Sequence, residues 1–240
     1  MPAPPLVTRR RSLGLLGASA LLWHRMGWGA AAWPPSMALT YQIDGQSGAV
    51  PYRARGTLHW QHGGGRYLAR LQVKVLWLSR EQTSQGVLGD WAPSPQRFTD
   101  SKGQGAQARF DPALGTVHYS HGGQAPWQPA MQDEISLYLA LAMAQQGHTG
   151  QPWQGWVSSA RGASLWVFDA LAPSTESTPS GTWQTQPMRR LPRHDGDTLA
   201  TLWLAPKLHG LPVRVQLQDA QGDRVDQRLL RYTPLPALGA

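Results

Sequence analysis

Side-chain polarity that alternates with period two recurs along this chain from Leu39 onward and restricts it to extended strands with one face in a core and one in water. Leu39, Tyr41 and Ile43 fall on one side of the first segment, and Thr40, Gln42 and Asp44 on the other. Tyr52, Ala54, Gly56, Leu58 and Trp60 then alternate with Arg53, Arg55, Thr57 and His59. Beyond His62-Gly63-Gly64-Gly65, Tyr67, Ala69, Leu71, Val73, Val75 and Trp77 alternate with Arg66, Arg70, Gln72 and Lys74. The glycine-rich loop joins the two runs into a hairpin with an aromatic and aliphatic inner face and a basic outer face. Near the C-terminus Val213, Val215 and Leu217 alternate with Arg214, Gln216 and Gln218. Pro206 and Gly210 punctuate the turn before that run, and 219–223 reads as a short hairpin loop after it.

Further strands are expected at 78–88, 97–101, 107–111, 116–120, 154–159, 164–171, 182–190, 198–205 and 224–232. About ten to twelve strands exceed what a flat sheet holds without curling. The fold class is therefore mainly β: a strongly curved antiparallel sheet or a half-open β-barrel. One segment departs from the pattern, at 132–146. There Ile135, Tyr138, Leu139 and Ala142 take the i, i+3, i+4, i+7 spacing of an amphipathic helix. Asp133 and Glu134 fall in its first turn, where the macrodipole favours acids, and Gly147 ends it. A single helix among many strands has to pack on the concave face or plug it. The polar, proline-bracketed stretch 173–180 reads as a loop, and the tail after Thr233 as irregular.

The N-terminus has the layout of an export signal. Arg9, Arg10 and Arg11 precede an apolar run from Leu13 to Trp23, and Ala30, Ala31 and Ala32 offer a small-residue cleavage site. The run is too short to cross a bilayer, which needs about 20 residues. Arg10-Arg11-Ser12-Leu13 suits a twin-arginine signal and equally the basic start of a Sec signal. The expected organisation is an export signal at 1–32, one β-barrel-like domain at 33–233 and a flexible tail at 234–240. The expected location is the periplasm. Cysteine is absent, which excludes a disulfide, a thiolate metal site, a cysteine nucleophile and lipid attachment to an N-terminal cysteine. The formal charge of +8 falls by four, to +4, once Arg9, Arg10, Arg11 and Arg25 leave with the signal. That mild excess suits anionic envelope surfaces and does not call for nucleic acid.

No catalytic constellation emerges. His59 with His62 and His118 with His121 have a His-x-x-His spacing, but residues three apart on a strand point to opposite faces, and both pairs run into glycine turns. They read as solvated turn histidines, and no metal or cofactor is expected. Gly63 to Gly65 lacks the Lys-Ser/Thr ending of a phosphate loop, and no Gly-x-Ser-x-Gly elbow occurs. Glu81, Asp90, Asp100 and Asp111 are available carboxylates, yet no local spacing imposes the separation that glycoside hydrolysis needs.

The stretch REQTSQG (80–86), followed by PQRFTDSKG (95–103) and by WLAPKLHGLPVRVQL (203–217), resembles a group of exported proteobacterial proteins, domain-of-unknown-function family 3108. The resemblance runs over roughly residues 52–229. The last stretch is also similar, more loosely, to periplasmic lipoprotein carriers of the LolA and LolB type. That second resemblance implies a half-open antiparallel barrel whose concave apolar face is covered by helices and can hold acyl chains. It warrants an architecture, while function has to come from the site. The chain departs from those carriers in offering one helix instead of several lids.

Gln82, Thr83 and Ser84 are expected on one strand and Arg97, Thr99 and Asp100 on the next, where they pair across the sheet. Alternatively, Arg80 or Arg97 meets an anionic head group at the sheet rim. The leading functional expectation is a non-enzymatic periplasmic module that binds a lipid or another apolar or amphiphilic envelope molecule in a cavity lined by Tyr41, Trp60, Tyr67, Trp77, Trp166 and Trp203. The same aromatics could instead fill a solid core. A second expectation is a structural or assembly protein whose basic face (Arg53, Arg55, Arg66, Arg70, Lys74) meets an anionic envelope polysaccharide or a protein partner. A third, a hydrolase of cell-wall glycans, has no residue to carry it.

Overall fold

The computed structural model describes residues 32–75, 78–102 and 104–239; Trp77 and residues 1–31 of the expected export signal lie outside them. Two antiparallel meanders make up most of the described residues. The first comprises β1 (Met37–Ser47), β2 (Val50–Gly63), β3 (Arg66–Val75), β4 (Leu78–Leu88), β5 (Pro93–Asp100), β6 (Ala106–Asp111), β7 (Thr116–Tyr119) and β8 (Gln124–Pro126). A two-residue strand β9 (Gln132–Asp133) and the helix α1 (Ser136–Gly147) lead to the second. It comprises β10 (Trp153–Ser158), β11 (Ala163–Ala170), β12 (Ser174–Thr178), β13 (Gly181–Arg190), β14 (Leu199–Leu204), a 3-10 turn at Pro206–Leu208, β15 (Pro212–Gln218) and β16 (Arg224–Pro234).

Antiparallel pairing of β1 with β16 fuses the meanders into one sheet, ordered β8-β7-β6-β5-β4-β3-β2-β1-β16-β15-β14-β13-β11-β10-β9, with β12 branching from β13. The pairing is antiparallel except between β10 and β9. The result is a large, open, curved sheet that does not close into a barrel. Among the described residues it has 16 strands where about ten to twelve were expected, because the shortest strands hold too few residues to show a period-two alternation. One of these, β12, lies in the stretch read as a loop. Ser174 to Thr178 pair with Thr185 to Gly181, and Ser174 Oγ sits 3.1 Å from Thr185 Oγ1. Serine and threonine fit a pleated surface and pair across it, so the flanking prolines bound a strand there. The C-terminal tail has no regular structure beyond Pro234, yet it is tied down: Leu235 N donates to Ser36 O and Leu238 N to His62 O.

The helix begins later than its sequence pattern suggests. Asp133 and Glu134 precede it and do not occupy its first turn. Asp133 Oδ1 accepts from Ile135 N (2.9 Å) and Ser136 N (2.8 Å), while Asp133 N donates to Ser136 Oγ (2.8 Å). This reciprocal arrangement satisfies N–H groups that a helix start otherwise leaves open. α1 is also buried on two sides, not on one stripe. Ile135, Leu139 and Ala142 pack with Leu39, Leu58, Trp60 and Phe98, whereas Leu137 and Leu141 pack with Val157, Phe168, Met188 and Leu202. A helix enclosed by a curled sheet meets strands on both flanks, so its apolar surface is wider than the stripe on a surface helix.

Candidate functional site

Packing around α1 is asymmetric. On the first-meander side the inner face is filled around Trp60: Trp60 and Tyr67 are fully buried with ring centroids 5.7 Å apart, and Trp33 tilts against Trp60 at 6.2 Å. Buried polar tips find partners, as they must. Trp60 Nε1 donates to Pro34 O (2.7 Å), Tyr41 Oη donates to Pro212 O (2.8 Å), and the Tyr67 hydroxyl lies 2.9 Å from Ser84 Oγ.

On the other side the fit is incomplete. A cleft of about 690 Å³ runs between α1 and β10, β11, β14 and β15, with Leu137, Val157, Phe168, Leu202 and Val215 among its apolar walls. These side chains lie on the inner face because Ala200, Leu202 and Leu204 alternate with Thr201 and Trp203, and Val213 and Val215 with Arg214. A second cavity of about 410 Å³ lies against β2 and β3, bounded by Ile43, Leu71, Val73, Val75 and Val225. Arg80, Gln82, Tyr138 and Leu217 line both.

The mouth of the larger cleft is polar. Arg190 Nη2 donates to both Asp197 oxygens (2.8 and 2.7 Å), and its guanidinium stacks 3.9 Å above the Trp166 ring. Both partners are almost wholly buried, and among the described residues Arg190 Nε has no hydrogen-bond partner. Burial pulls the Arg190 guanidinium below its ordinary pKa against the opposing charge of Asp197. Hydrogen bonding from Arg193 and the charges of Arg193 and Arg190 hold the Asp197 carboxyl far below the usual carboxylate range, although burial opposes them. Arg193 also reaches Ser164 Oγ, so residues 191–198 are pinned across β11. Arg161 stands exposed on the β10–β11 turn beside this cluster.

At the junction of the two cavities Arg80 grips Asp100 through Nε (2.9 Å) and Nη2 (2.5 Å). Gln82 Nε2 donates to Glu134 Oε2 (2.9 Å). Burial raises the Glu134 carboxyl above its ordinary pKa, while the charge of Arg80 lowers it. Burial likewise pushes the Tyr138 hydroxyl up to about 12, so it stays protonated as a donor.

The sequence-nominated residues therefore separate. Arg80 and Trp166 line the cleft. Tyr41, Trp60 and Tyr67 belong to the packed core beside it. Trp203 is on the opposite face, paired across the sheet with Arg214, whose guanidinium lies 4.6 Å from its ring. Arg214 itself is covered by β12 through Glu176 (2.9 Å) and bridges to Asp226 (2.8 Å). Arg97 is exposed and sits opposite Arg109, away from both cavities, because its strand neighbour Phe98 takes the inward position. Among the histidines, His62 is half-buried, with Nε2 3.0 Å from Pro34 O, rather than a solvated turn residue. On the basic outer face, Arg53 pairs with Asp44 and Arg70 with Glu81 at 3.3 and 3.6 Å.

Sequence reasoning missed Arg161, Arg190, Arg193 and Asp197. The signal was faint: two arginines and an aspartate within a turn-rich stretch, whose partner Trp166 is supplied by a different hairpin.

No family model matches this chain, and no curated protein matches it. Among solved structures it is similar to a β-barrel-like protein of domain of unknown function DUF1849 from Brucella abortus. That likeness has a TM-score of 0.57 at 8% identity over 84% of this chain and 98% of the other. A weaker likeness is to the crystal structure of MucB, at TM-score 0.35 and 14% identity, covering 87% of this chain and 56% of that one. The first is a likeness of fold alone: a curved, barrel-like β-sheet.

Proposed function

We propose that this protein is a non-enzymatic binding protein of the cell envelope that takes an apolar or amphiphilic molecule into the cleft between α1 and the second meander. The observation that carries this reading is the contrast in packing around one helix. One flank meets a dense aromatic core, and the other leaves about 690 Å³ unfilled between apolar walls, a size within the usual range of ligand sites. Asp197 is committed to Arg190 and Arg193 and Asp100 to Arg80, while Glu134, raised by burial, accepts from Gln82; the two ion-paired carboxylates suit positioning better than proton transfer. The arginine-led, apolar leader favours action after export. The 80–86 and 95–103 stretches favour kinship with family 3108.

Native mass spectrometry of protein purified from the periplasm, together with tryptophan fluorescence during titration with decanol, tests the reading. Trp166 lines the cleft, so occupancy is expected to shift its emission. Ala163→Trp, which places bulk at the half-buried mouth, should weaken decanol binding about tenfold or more while leaving the circular dichroism unchanged. A wild-type protein that carries no adduct and ignores decanol is not a binding protein of this kind.

A further inference from the structure

The two cavities adjoin along one wall, and that wall is chemically mixed: Leu217 supplies its apolar part, and Arg80, Gln82 and Tyr138 its polar part. Both chambers have volumes in the range of about 300–1,000 Å³ that small-molecule sites occupy. A single apolar chain threaded through both would drag methylenes across a guanidinium, an amide and a phenol, desolvating each without offering it a partner. A molecule whose polar atoms fall at the wall avoids that cost.

The electrostatics of the wall narrow the choice further. Arg80 already donates twice to Asp100, and Glu134 is close enough to interact with both. Gln82 Nε2 is held by Glu134. Arg80 thus faces two carboxylates, and Arg190, which also feels the charge of Glu134, is already committed to Asp197. A phosphate or carboxylate brought to this point would either displace Asp100 or sit against Glu134. Among the described residues the Tyr138 hydroxyl meets no hydrogen-bonding group of the protein, and it lines both chambers. It is a neutral donor at the junction.

We propose that the occupant is a two-limbed amphiphile, with one apolar limb in each chamber and a neutral hydrogen-bonding joint, an ester, amide or hydroxyl, set against Arg80, Gln82 and Tyr138. This rests on the binding reading above and specifies the class of ligand. Arg161 and Arg193 border the larger chamber and not the smaller one, so they are not part of the shared wall.

Three probes separate the possibilities, each used below its micelle concentration: 1,2-dioctanoylglycerol, 1-monooctanoylglycerol with one limb, and dioctanoyl phosphatidic acid with an anionic joint. In calorimetric titrations of the wild-type chain, dioctanoylglycerol should bind about tenfold or more tightly than either of the others. Val73→Trp fills only the smaller chamber. It should reduce dioctanoylglycerol affinity to that of monooctanoylglycerol, whose own affinity should not change and so reports an intact fold. Val225→Trp, on a different strand of the same chamber, should repeat the result and stands in if Val73→Trp fails to fold. The proposal is overturned if phosphatidic acid binds as well as dioctanoylglycerol, if the second limb adds nothing, or if both substitutions leave dioctanoylglycerol binding intact. In those cases binding of the single-limbed probe leaves the general reading standing. Failure of all three probes on the wild-type protein overturns both.

Discussion

The Asp133 side chain ties the start of α1 to the first meander. Its carboxylate has no exposed surface, and burial pushes its pKa up to about 6 despite hydrogen bonds from Ser136, Ser84 and Ile135. Ser84 Oγ donates to Asp133 Oδ2 at 2.6 Å, and the Tyr67 hydroxyl backs Ser84 in turn. Because the folded-state pKa lies above the ordinary carboxylate value, the folded protein binds the extra proton between about pH 4 and pH 6. Its contribution to stability is complete below that window and is lost as pH rises through about 6. Asp197, Asp100 and Asp226 act in the opposite sense. Their pKa values are depressed, so their contributions are present above the ordinary value and are lost as pH falls. Asp133→Asn isolates the first effect. The amide oxygen keeps the two backbone N–H bonds, and the amide nitrogen donates to Ser84, whose hydroxyl turns toward Tyr67. The variant should be more stable than wild type by about 1–3 kcal/mol at pH 7.5, with the gain shrinking toward zero by pH 4. Urea denaturation at a series of pH values measures this; a gain independent of pH would mean that Asp133 is not the titrating group.

At the scale of elements, legibility followed local periodicity and failed wherever the decisive partner was distant. Tyr52 to Trp60 and Tyr67 to Val75 alternate as read, because one face of each strand meets core and the other water. β12 was missed because its alternation is among hydroxyls and a carboxylate, with no apolar face to mark it. The second buried flank of α1 was missed because Leu137 and Leu141 acquire partners from distant strands, among them β10, β11, β13 and β14. The cleft was unreadable for the same reason, since Phe168, Leu202 and Val215 converge from three strands. The sequence offers Arg80 or Arg97 as an alternative contact for a head group at the sheet rim; Arg80 lies instead at the junction of the two cavities, held by Asp100 and beside Glu134. Gly210 shows a local signal with a tertiary cause. It was read as turn punctuation, and its φ is indeed +79°. A Cβ there would also fall 2.8 Å from Ala142 O and 3.0 Å from Ala142 Cα, both backbone atoms of α1. The 205–211 turn is therefore a seat for the helix, and neither flexible ends nor rotamers can relieve the clash. Gly210→Ala should cost about 2 kcal/mol or more, combining the left-handed backbone penalty with displacement of the helix. A thermal shift no larger than that of Gly222→Ala, where φ is +88° but a Cβ meets nothing within 4 Å, would remove the packing part of that claim.

On the scale of the whole molecule, the sheet is continuous through β1 and β16 but held on its opposite side by side chains. There the meanders meet through Ser84 with Asp133 (2.6 Å), Gln82 with Glu134 (2.9 Å), Gln132 Nε2 with Pro93 O (2.8 Å) and the Tyr119 hydroxyl with Ser158 Oγ (3.0 Å). Hydrogen bonds of this kind each contribute about 0.5–1.5 kcal/mol net, more where a charge takes part. The β1–β16 ladder instead extends over ten paired positions and lies over the core, so opening the side-chain seam is the cheaper motion. Both chambers border the seam through Gln82, so the motion that opens it also widens the site. Ser84→Ala tests whether the seam behaves as a separate unit. It removes one donor from a buried carboxylate and leaves the strand ladders untouched, and it should raise the Asp133 pKa further. Hydrogen exchange at the Ile135 and Ser136 amides, which Asp133 holds, should accelerate about tenfold or more, because a loss of about 1.4 kcal/mol in local opening free energy is a tenfold rate effect. Amides of Leu39 and Leu58, in the centre of the sheet, should keep their protection. Acceleration of equal size at all four positions would show that the sheet opens as one body and that the seam sets no independent motion of the cleft.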